Sequence, residues 1–235
     1  HHQNTPRDTT TSTTFPTAFD TSLTNNFTST ACAPFIHTLL SNTTLTSCHA
    51  VSFLLRNSDS FFHTLTSAAA TSAVLDTACA ANVTTCGAAL SSFATELRKP
   101  SACGKDYDAG NQLVVDAYTD LITYEPIYRA TCLQSPSTTD YCFVDAVTNT
   151  SNAVNYDVYF VPFGTQMTSA PWPICTECLQ AILAVYAEWA KMEGQPLVES
   201  YLPTAEAIDG VCGEGFADAD VTVGVEKGVG VAESR

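Results

Sequence analysis

Apolar residues recur at three- and four-residue steps through the central part of the chain, and this periodicity predicts a mainly α-helical domain. The clearest pattern covers about 84–98, where Leu90 and Leu97 share one apolar face and Pro100 stops the helix. Shorter apolar stripes between residues 35 and 65 predict several short helices. Further helices are predicted at about 111–125, 173–191 and 203–212.

Two segments in the second half of the chain depart from the helical pattern. Residues 141–147 and 155–163 are rich in Val, Phe and Tyr, and an Asn/Ser/Thr-rich link joins them. Because β-branched and aromatic residues favour strands, these segments predict a small β-hairpin. The predicted fold class is therefore mainly α, a disulfide-stapled multi-helix domain with one small β-hairpin.

The two ends of the chain lack a regular hydrophobic pattern. Residues 1–30 contain 14 Ser or Thr, which predicts a flexible Ser/Thr-rich leader because such a segment buries too little apolar area to order itself. Residues 217–235 are rich in Val, Gly, Asp and Glu without a helical period and are predicted to form a disordered tail. The predicted domain between them covers 31–216.

The number of cysteines indicates the kind of cellular compartment in which the protein is made. The chain has ten cysteines, an even number, and no His/Cys ligand box, which is typical of a disulfide framework made in an oxidising environment. We therefore predict five disulfide bonds and an extracellular or cell-surface location. The predicted disulfide residues are Cys32, Cys48, Cys79, Cys86, Cys103, Cys132, Cys142, Cys175, Cys178 and Cys212.

The pairing does not follow from the sequence, but two bonds would each close a short loop. Cys79 and Cys86 flank a short link between two helical patterns, and we predict that they pair. Cys132 and Cys142 flank a polar loop that contains a proline, and we predict the same for them.

Charge and glycosylation signals narrow the choice of partner. With 24 acidic and nine basic residues the net charge is -15, which disfavours nucleic acids and anionic membranes as partners. No apolar stretch approaches the roughly 20 residues of a membrane-spanning helix. The partners we consider instead are a cell-wall glycan or a small apolar ligand. Four sequons predict N-glycosylation at Asn26, Asn42, Asn82 and Asn149.

Several segments resemble a known family. They cover residues 48–62, 103–107, 141–151 and 171–178, and include the motifs Cys-Gly-Lys-Asp-Tyr and Pro-Trp-Pro-Ile-Cys-Thr-Glu-Cys. Across about 32–216 the chain is similar to an uncharacterised family of fungal secreted cysteine-rich proteins, often predicted to be GPI-anchored. The resemblance implies a fungal, extracellular protein associated with the cell wall or plasma membrane, and it implies no activity or catalytic residue. A hydrophobic C-terminal anchor signal is missing from this chain, so we expect either a trimmed tail or a freely secreted member.

A Cys-x-x-Cys motif at Cys175 and Cys178 would suit a redox dithiol or zinc. The alternating strands and helices of a thioredoxin-type protein and a second ligand pair are both missing. We therefore favour structural bonds to two different partners, such as Cys103 and Cys212, and predict no metal and no cofactor.

Other polar residues give weaker signals. The three internal histidines, His37, His49 and His63, lie on different predicted helices, and no Gly-x-Ser-x-Gly motif accompanies them. The acidic segment 106–111 has the beginning of a calcium loop without its glycine and glutamate, and we interpret it as a polar turn that caps the next helix.

The acidic residues with the most chemical interest are Asp116, Asp120 and Glu125, which lie near three tyrosines. Asp116 and Asp120 share one helix face, and Glu125 is placed to pair with Arg129 four residues later. Glycosidases use two carboxylates that face each other across the substrate, so these three are the candidate catalytic residues of a hydrolase.

Two functions remain open on this basis. The first is a secreted or surface-associated fungal glycoprotein that binds a cell-wall glycan, a lipid or a host component without catalysis. The second is an acidic secreted hydrolase that acts on carbohydrate, which would need a cavity with a second carboxylate facing one of the three. A continuous apolar cavity would indicate a lipid carrier instead.

Overall fold

The structure is a computed structural model that describes residues 14–20 and 26–228. These residues form eleven α-helices and two 3-10 helices. The bounds are α1 Cys32–Ser41, α2 Thr43–Thr46, η1 Val51–Phe53, α3 Asp59–Thr64, α4 Ala68–Cys79, α5 Val83–Leu97, α6 Gly104–Asp108, α7 Gln112–Ile122, α8 Tyr124–Thr131, α9 Cys142–Thr148, η2 Ala153–Phe163, α10 Glu177–Ala190 and α11 Leu197–Cys212.

The buried apolar side chains form two clusters that meet at α8. One cluster packs α1, α2, α5 and α7 together, and the other packs α4, η2, α9, α10 and α11. Within α8, Tyr124 belongs to the first cluster, whereas Ile127 and Ala130 belong to the second. Because both faces of this short helix are covered, α8 is held rigidly between the two halves of the core.

The strongest sequence predictions of helices are confirmed as α5, α7, α10 and α11. Asn82 and Asn111 cap α5 and α7 by accepting backbone N–H groups with their side-chain oxygens. Pro126 lies in the first turn of α8, where its missing N–H is not needed. Pro203 lies inside α11 and has no N–H to donate to the carbonyl of Glu199, four residues earlier. Gln166 Nε2 donates to this carbonyl instead, at 3.0 Å.

The predicted β-hairpin is wrong. No strand occurs between residues 26 and 228 or in 14–20, and the two segments form α9 and η2. Their aromatic and β-branched residues, such as Phe143 and Val158, are buried against helices instead of a sheet partner, so tertiary packing overrides strand propensity. Asn149 joins the two elements, because its Oδ1 accepts N–H groups of Ser151 and Asn152, each at 3.1 Å.

All ten cysteines are paired, which confirms the predicted five disulfide bonds. The bonds tie together helices that lie far apart in the sequence. The pairs are Cys32 with Cys103, Cys48 with Cys86, Cys79 with Cys132, Cys142 with Cys178, and Cys175 with Cys212.

Both short-loop pairings predicted from the sequence are wrong. α4 and α5 are bent by 84° at their junction, so Cys79 at the end of α4 meets α8 while Cys86 faces α2. The loop before Cys142 is closed by backbone hydrogen bonds, including Cys142 N–H to the Leu133 carbonyl at 2.9 Å. The expectation that Cys175 and Cys178 have different partners is confirmed, and Cys212 is one of them. Cys103, also suggested as a partner, pairs with Cys32 instead.

The described parts of the two predicted flexible ends pack on the domain. Phe15 contacts the second core cluster, and Asp106 accepts N–H groups of Thr28 and Ser29 at 2.5 and 3.1 Å. At the other end Ala217 and Val221 are 5% and 7% exposed, so the first part of the segment predicted as a tail packs on the domain. The predicted leader at 1–13 and 21–25 and the predicted tail at 229–235 lie outside the described residues.

In the described ranges, no single helix has the length and apolar composition needed to cross a membrane. The pair of α4 and α5 meets that test together, but by length and composition only.

Candidate functional site

Two of the three candidate catalytic residues lie in a buried ion cluster. Asp116 and Asp120 project from adjacent turns of α7 toward Arg56, which follows η1 and donates to Asp116 Oδ1 at 3.1 Å and to Asp120 Oδ1 at 2.6 Å. Asn57 and Gln112 also donate to the Asp116 carboxylate, at 2.9 and 2.7 Å. The Asp116 carboxylate therefore has three side-chain donors, and it holds η1 and α7 together.

The Asp120 carboxylate has fewer hydrogen-bond donors than the Asp116 carboxylate. The Asp120 side chain is fully buried, and its Oδ2 has no hydrogen-bond partner among the described residues. Burial raises the pKa of Asp120 to about 7, with Arg56 acting against the rise and the Asp116 charge adding to it. The cluster therefore contains the Arg56 guanidinium, the Asp116 carboxylate and a buried acid, Asp120, that takes up its proton near neutral pH.

The third candidate, Glu125, lies apart from this cluster and lines a cavity of about 310 Å³ between α5, α8 and the end of α10. We call it the Glu125 cavity, and its walls include Gly87, Glu125, Trp189 and Gln195. Neither Asp116 nor Asp120 lines it. Among the described residues that line it, Glu125 is the one carboxylate, so no described second carboxylate faces it across this space.

Two buried polar atoms belong to residues that line the Glu125 cavity. Tyr124 Oη and Gln195 Oε1 have no hydrogen-bond partner among the described residues, although both atoms are shielded from solvent. The Gln195 amide is oriented by its other end, since Nε2 donates to the Ile122 carbonyl at 2.7 Å. An unpaired buried donor or acceptor costs about 1–3 kcal/mol. Because both atoms are closed to solvent in this structure, a ligand hydroxyl would reach them only after a small side-chain movement at the cavity wall.

The charge of Glu125 is moderated by its surroundings. Its side chain is 27% exposed, and its carboxylate lies 3.7 Å from the Arg129 guanidinium, which confirms the pairing predicted from the sequence. Burial raises the pKa of Glu125, and Arg129 opposes the rise. Lys227 also lines the cavity. The walls of the cavity therefore include a negative carboxylate, a positive ammonium group and the partly exposed Trp189 ring.

A glycine positions the carboxylate. Gly87 lies in the buried part of α5, and a Cβ atom at this position would overlap Glu125 Oε1. The Glu125 side chain can therefore rest directly on the α5 backbone. A glycine inside a helix costs about 1 kcal/mol relative to alanine, and here that cost makes room for a residue that lines the cavity.

The remaining sequence candidates are spread over the surface. His63 is exposed and lies 3.5 Å from Asp59, and His49 packs its ring against Phe15. Within 14–20 and 26–228 no three His, Cys, Asp or Glu residues are grouped so that they could hold a metal ion. Asn111 caps α7, so segment 106–111 ends in the expected capping turn.

Of the three acidic candidates from the sequence, Glu125 lines this cavity, and the sequence did not indicate the cavity itself. Trp189 packs partly against the core, and the apolar spacing of its helix did not indicate that it also lines a cavity. Gln195 and Gly87 likewise have no sequence feature that points to this site. The spacing could not show that the end of α10 stops beside α8. Glu125 next to a tyrosine was the single usable indication.

The fold and this site define a disulfide-stabilised helical domain with a small cavity next to α8, whose walls are mainly apolar and carry a few polar groups. The family described as "Domain of unknown function (DUF7729)" matches residues 14–221, and the chain belongs to this family. The resemblance to an uncharacterised family seen in the sequence is thereby confirmed. Comparisons with curated proteins and with solved structures found no match.

Proposed function

We propose that the protein is a secreted or surface-associated fungal glycoprotein that binds a cell-wall saccharide in the Glu125 cavity without cleaving it. The observation that carries the proposal is the combination of a partly exposed indole, a carboxylate and two unpaired buried polar atoms around one cavity. Sugar rings have C–H faces that pack on aromatic rings and hydroxyl groups that both donate and accept hydrogen bonds. Trp189 offers such a ring, and Gln195 Oε1 and Glu125 offer acceptors.

The size of the cavity favours a short ligand. Small-molecule sites usually measure about 300–1,000 Å³, and the Glu125 cavity, at about 310 Å³, falls at the lower end. One or two sugar units of a longer chain fit this volume better than an extended segment does. Binding a chain end in this way would suit a protein displayed at a glycan-rich surface.

Binding without cleavage is favoured by the positions of the carboxylates. Glycoside hydrolysis ordinarily needs two carboxyl groups on opposite sides of the bond. Asp116 and Asp120 are bound to Arg56, and Glu125 has no carboxylate opposite it among the described lining residues. The hydrolase remains the alternative that the assay below has to separate.

Secretion and glycosylation are supported by the disulfides and the sequons. Five disulfides in a domain of this size are typical of oxidising compartments. Asn26 and Asn82 are exposed, and Asn42 and Asn149 are half-buried. Asn42 and Asn82 cap helices with Oδ1, which leaves Nδ2, the atom that carries an N-glycan, available for modification. Attachment through a GPI anchor belongs to the same proposal, on the basis of the resemblance.

The proposal is tested by screening the purified protein on a glycan array and measuring the best saccharide by calorimetry. Trp189→Ala and Gln195→Leu should each weaken binding at least tenfold, which is about 1.4 kcal/mol. Phe62→Ala, which removes an aromatic side chain that is 68% exposed, is the matched control and should have no effect. Binding that is equal in the Trp189 and Phe62 variants would contradict the site.

Cleavage is followed in the same samples by the release of reducing ends. The proposal expects none from the wild-type protein at any pH between about 4 and 7. Release that disappears in Glu125→Gln but persists in Glu214→Gln, an exposed carboxylate elsewhere, would establish the hydrolase instead.

A further inference from the structure

A second cavity, of about 320 Å³, lies between α9, η2 and the start of α10, whereas the Glu125 cavity lies near the end of α10. We call it the Asp145 cavity, and its walls include Asp145, Val158, Tyr159, Glu177 and Ile182. The disulfide between Cys142 and Cys178 joins the two helices that carry its acidic residues. Its walls are therefore fixed relative to each other by a covalent bond, independently of the Glu125 cavity.

The charge at this cavity is entirely negative among the described residues that line it. Asp145 comes from α9 and Glu177 from the first turn of α10, and no Lys, Arg or His accompanies them in the lining. Burial and the nearby Asp140 raise the pKa of Asp145. Two carboxylates held on separate elements around one cavity, without a described basic side chain in its walls, form a region of negative potential.

The inner wall supplies apolar surface and one unused polar atom. Val158 and Ile182 are 1% and 2% exposed, and both line the cavity. Tyr159 is fully buried, and its Oη has no hydrogen-bond partner among the described residues. Tyr159 and Asp145 both line the cavity, and the charge of Asp145 adds to the larger effect of burial in raising the pKa of Tyr159.

We propose that the Asp145 cavity binds a small organic amine, with its ammonium group between Asp145 and Glu177 and its apolar body against Val158. A primary ammonium has three N–H donors and no acceptor. The two carboxylates and Tyr159 Oη provide three acceptors, and the apolar wall suits an alkyl or aromatic body. This ligand is distinct in charge from the neutral saccharide proposed for the Glu125 cavity.

An amine fits these groups better than a metal ion does. Calcium takes six to eight oxygen ligands, whereas the cavity offers two carboxylates, and no metal-binding group of three acidic, His or Cys residues occurs in 14–20 or 26–228. The apolar inner wall would also remain without a role if the ligand were a bare ion. An ammonium with an apolar body uses both parts of the cavity.

The test is isothermal titration of the protein with phenethylamine and with 2-phenylethanol, its uncharged counterpart. Protein made in the bacterial periplasm is used, so that disulfides form and Asn149, which also lines the cavity, carries no N-glycan. We expect saturable binding of phenethylamine at pH 7 with one site, and binding of 2-phenylethanol at least tenfold weaker. The affinity for the amine should fall as salt rises, because the attraction is partly electrostatic.

Three variants locate the site. Asp145→Asn and Glu177→Gln should each weaken phenethylamine binding at least tenfold, and Tyr159→Phe should weaken it while leaving the fold intact, as circular dichroism can verify. Glu206→Gln makes the same charge change on the exposed face of α11 and should have no effect. The proposal is overturned if the amine does not bind, if 2-phenylethanol binds equally well, or if Glu206→Gln weakens binding as much as Glu177→Gln.

Discussion

The buried carboxylate of Asp120 makes a specific prediction about stability and pH. The pKa of Asp120 is raised from 3.8 to about 7 in the folded protein. Between these values the folded state retains a proton that the unfolded chain releases, so the free energy of unfolding decreases as pH rises. One pKa unit corresponds to about 1.4 kcal/mol, so Asp120 contributes a decrease on the order of 4 kcal/mol between about pH 4 and pH 8.

Asp120→Asn isolates this contribution. The amide keeps an oxygen for Arg56 and cannot ionise, so the variant should be of similar or lower stability than wild type near pH 4 and of higher stability near pH 8. The difference between the two proteins cancels other groups with raised pKa values, such as Glu125 and Asp145. Groups with lowered pKa values, such as Asp106, lose their stabilising effect only as pH falls below about 4.

The assay is guanidinium unfolding of both proteins, with disulfides intact, at half-unit steps between pH 4 and pH 8. Asp220→Asn, an exposed residue of the same charge, is the control and should follow the wild-type pH dependence. If Asp120→Asn and wild type change in parallel over this range, Asp120 is ionised in the folded protein, and our description of the Arg56 cluster is wrong.

Two further substitutions test the ion cluster and the cavity. Arg56→Met leaves the buried carboxylates without their cation and should lower the unfolding free energy at pH 7 by about 3–5 kcal/mol. Denaturant unfolding should show a smaller loss at pH 4, where Asp120 is neutral, and equal losses would count against the cluster. Gly87→Ala should displace Glu125 and weaken saccharide binding at least tenfold in calorimetry. Gly210→Ala, which has open space around its Cβ, should leave affinity unchanged and stabilise the protein by about 0.5–1 kcal/mol; equal affinities of the two variants would contradict the role of Gly87.

The helices could be predicted where the sequence features that start, stop and orient them lie within the helix or next to it. α5 has an apolar face, an Asn82 cap and a proline soon after its end, and all three can be seen in the sequence. The segments around Phe143 and Val158 were not predictable in this way, because their residue types suit a strand and only the surrounding helices make a helical conformation favourable. Propensity measures the local preference of a residue and carries no information about which partner covers it.

The disulfide pairing and the cavity depend on contacts between distant parts of the chain. Cys79 lies seven positions from Cys86 in the sequence and yet pairs with Cys132, because the bend between α4 and α5 directs the two cysteines to different neighbours. The pairing of Glu125 with Arg129 was predictable, since it needs only one helix turn. The position of Trp189 beside Glu125 was not, since it follows from how α10 packs on α8.

The most direct test of the proposed function is a crystal structure of the protein with the saccharide selected on the array. The account predicts one sugar ring packed on Trp189, with hydroxyl groups within hydrogen-bond distance of Gln195 Oε1 and the Glu125 carboxylate. A saccharide bound elsewhere on the surface, with the Glu125 cavity holding only water, would contradict it.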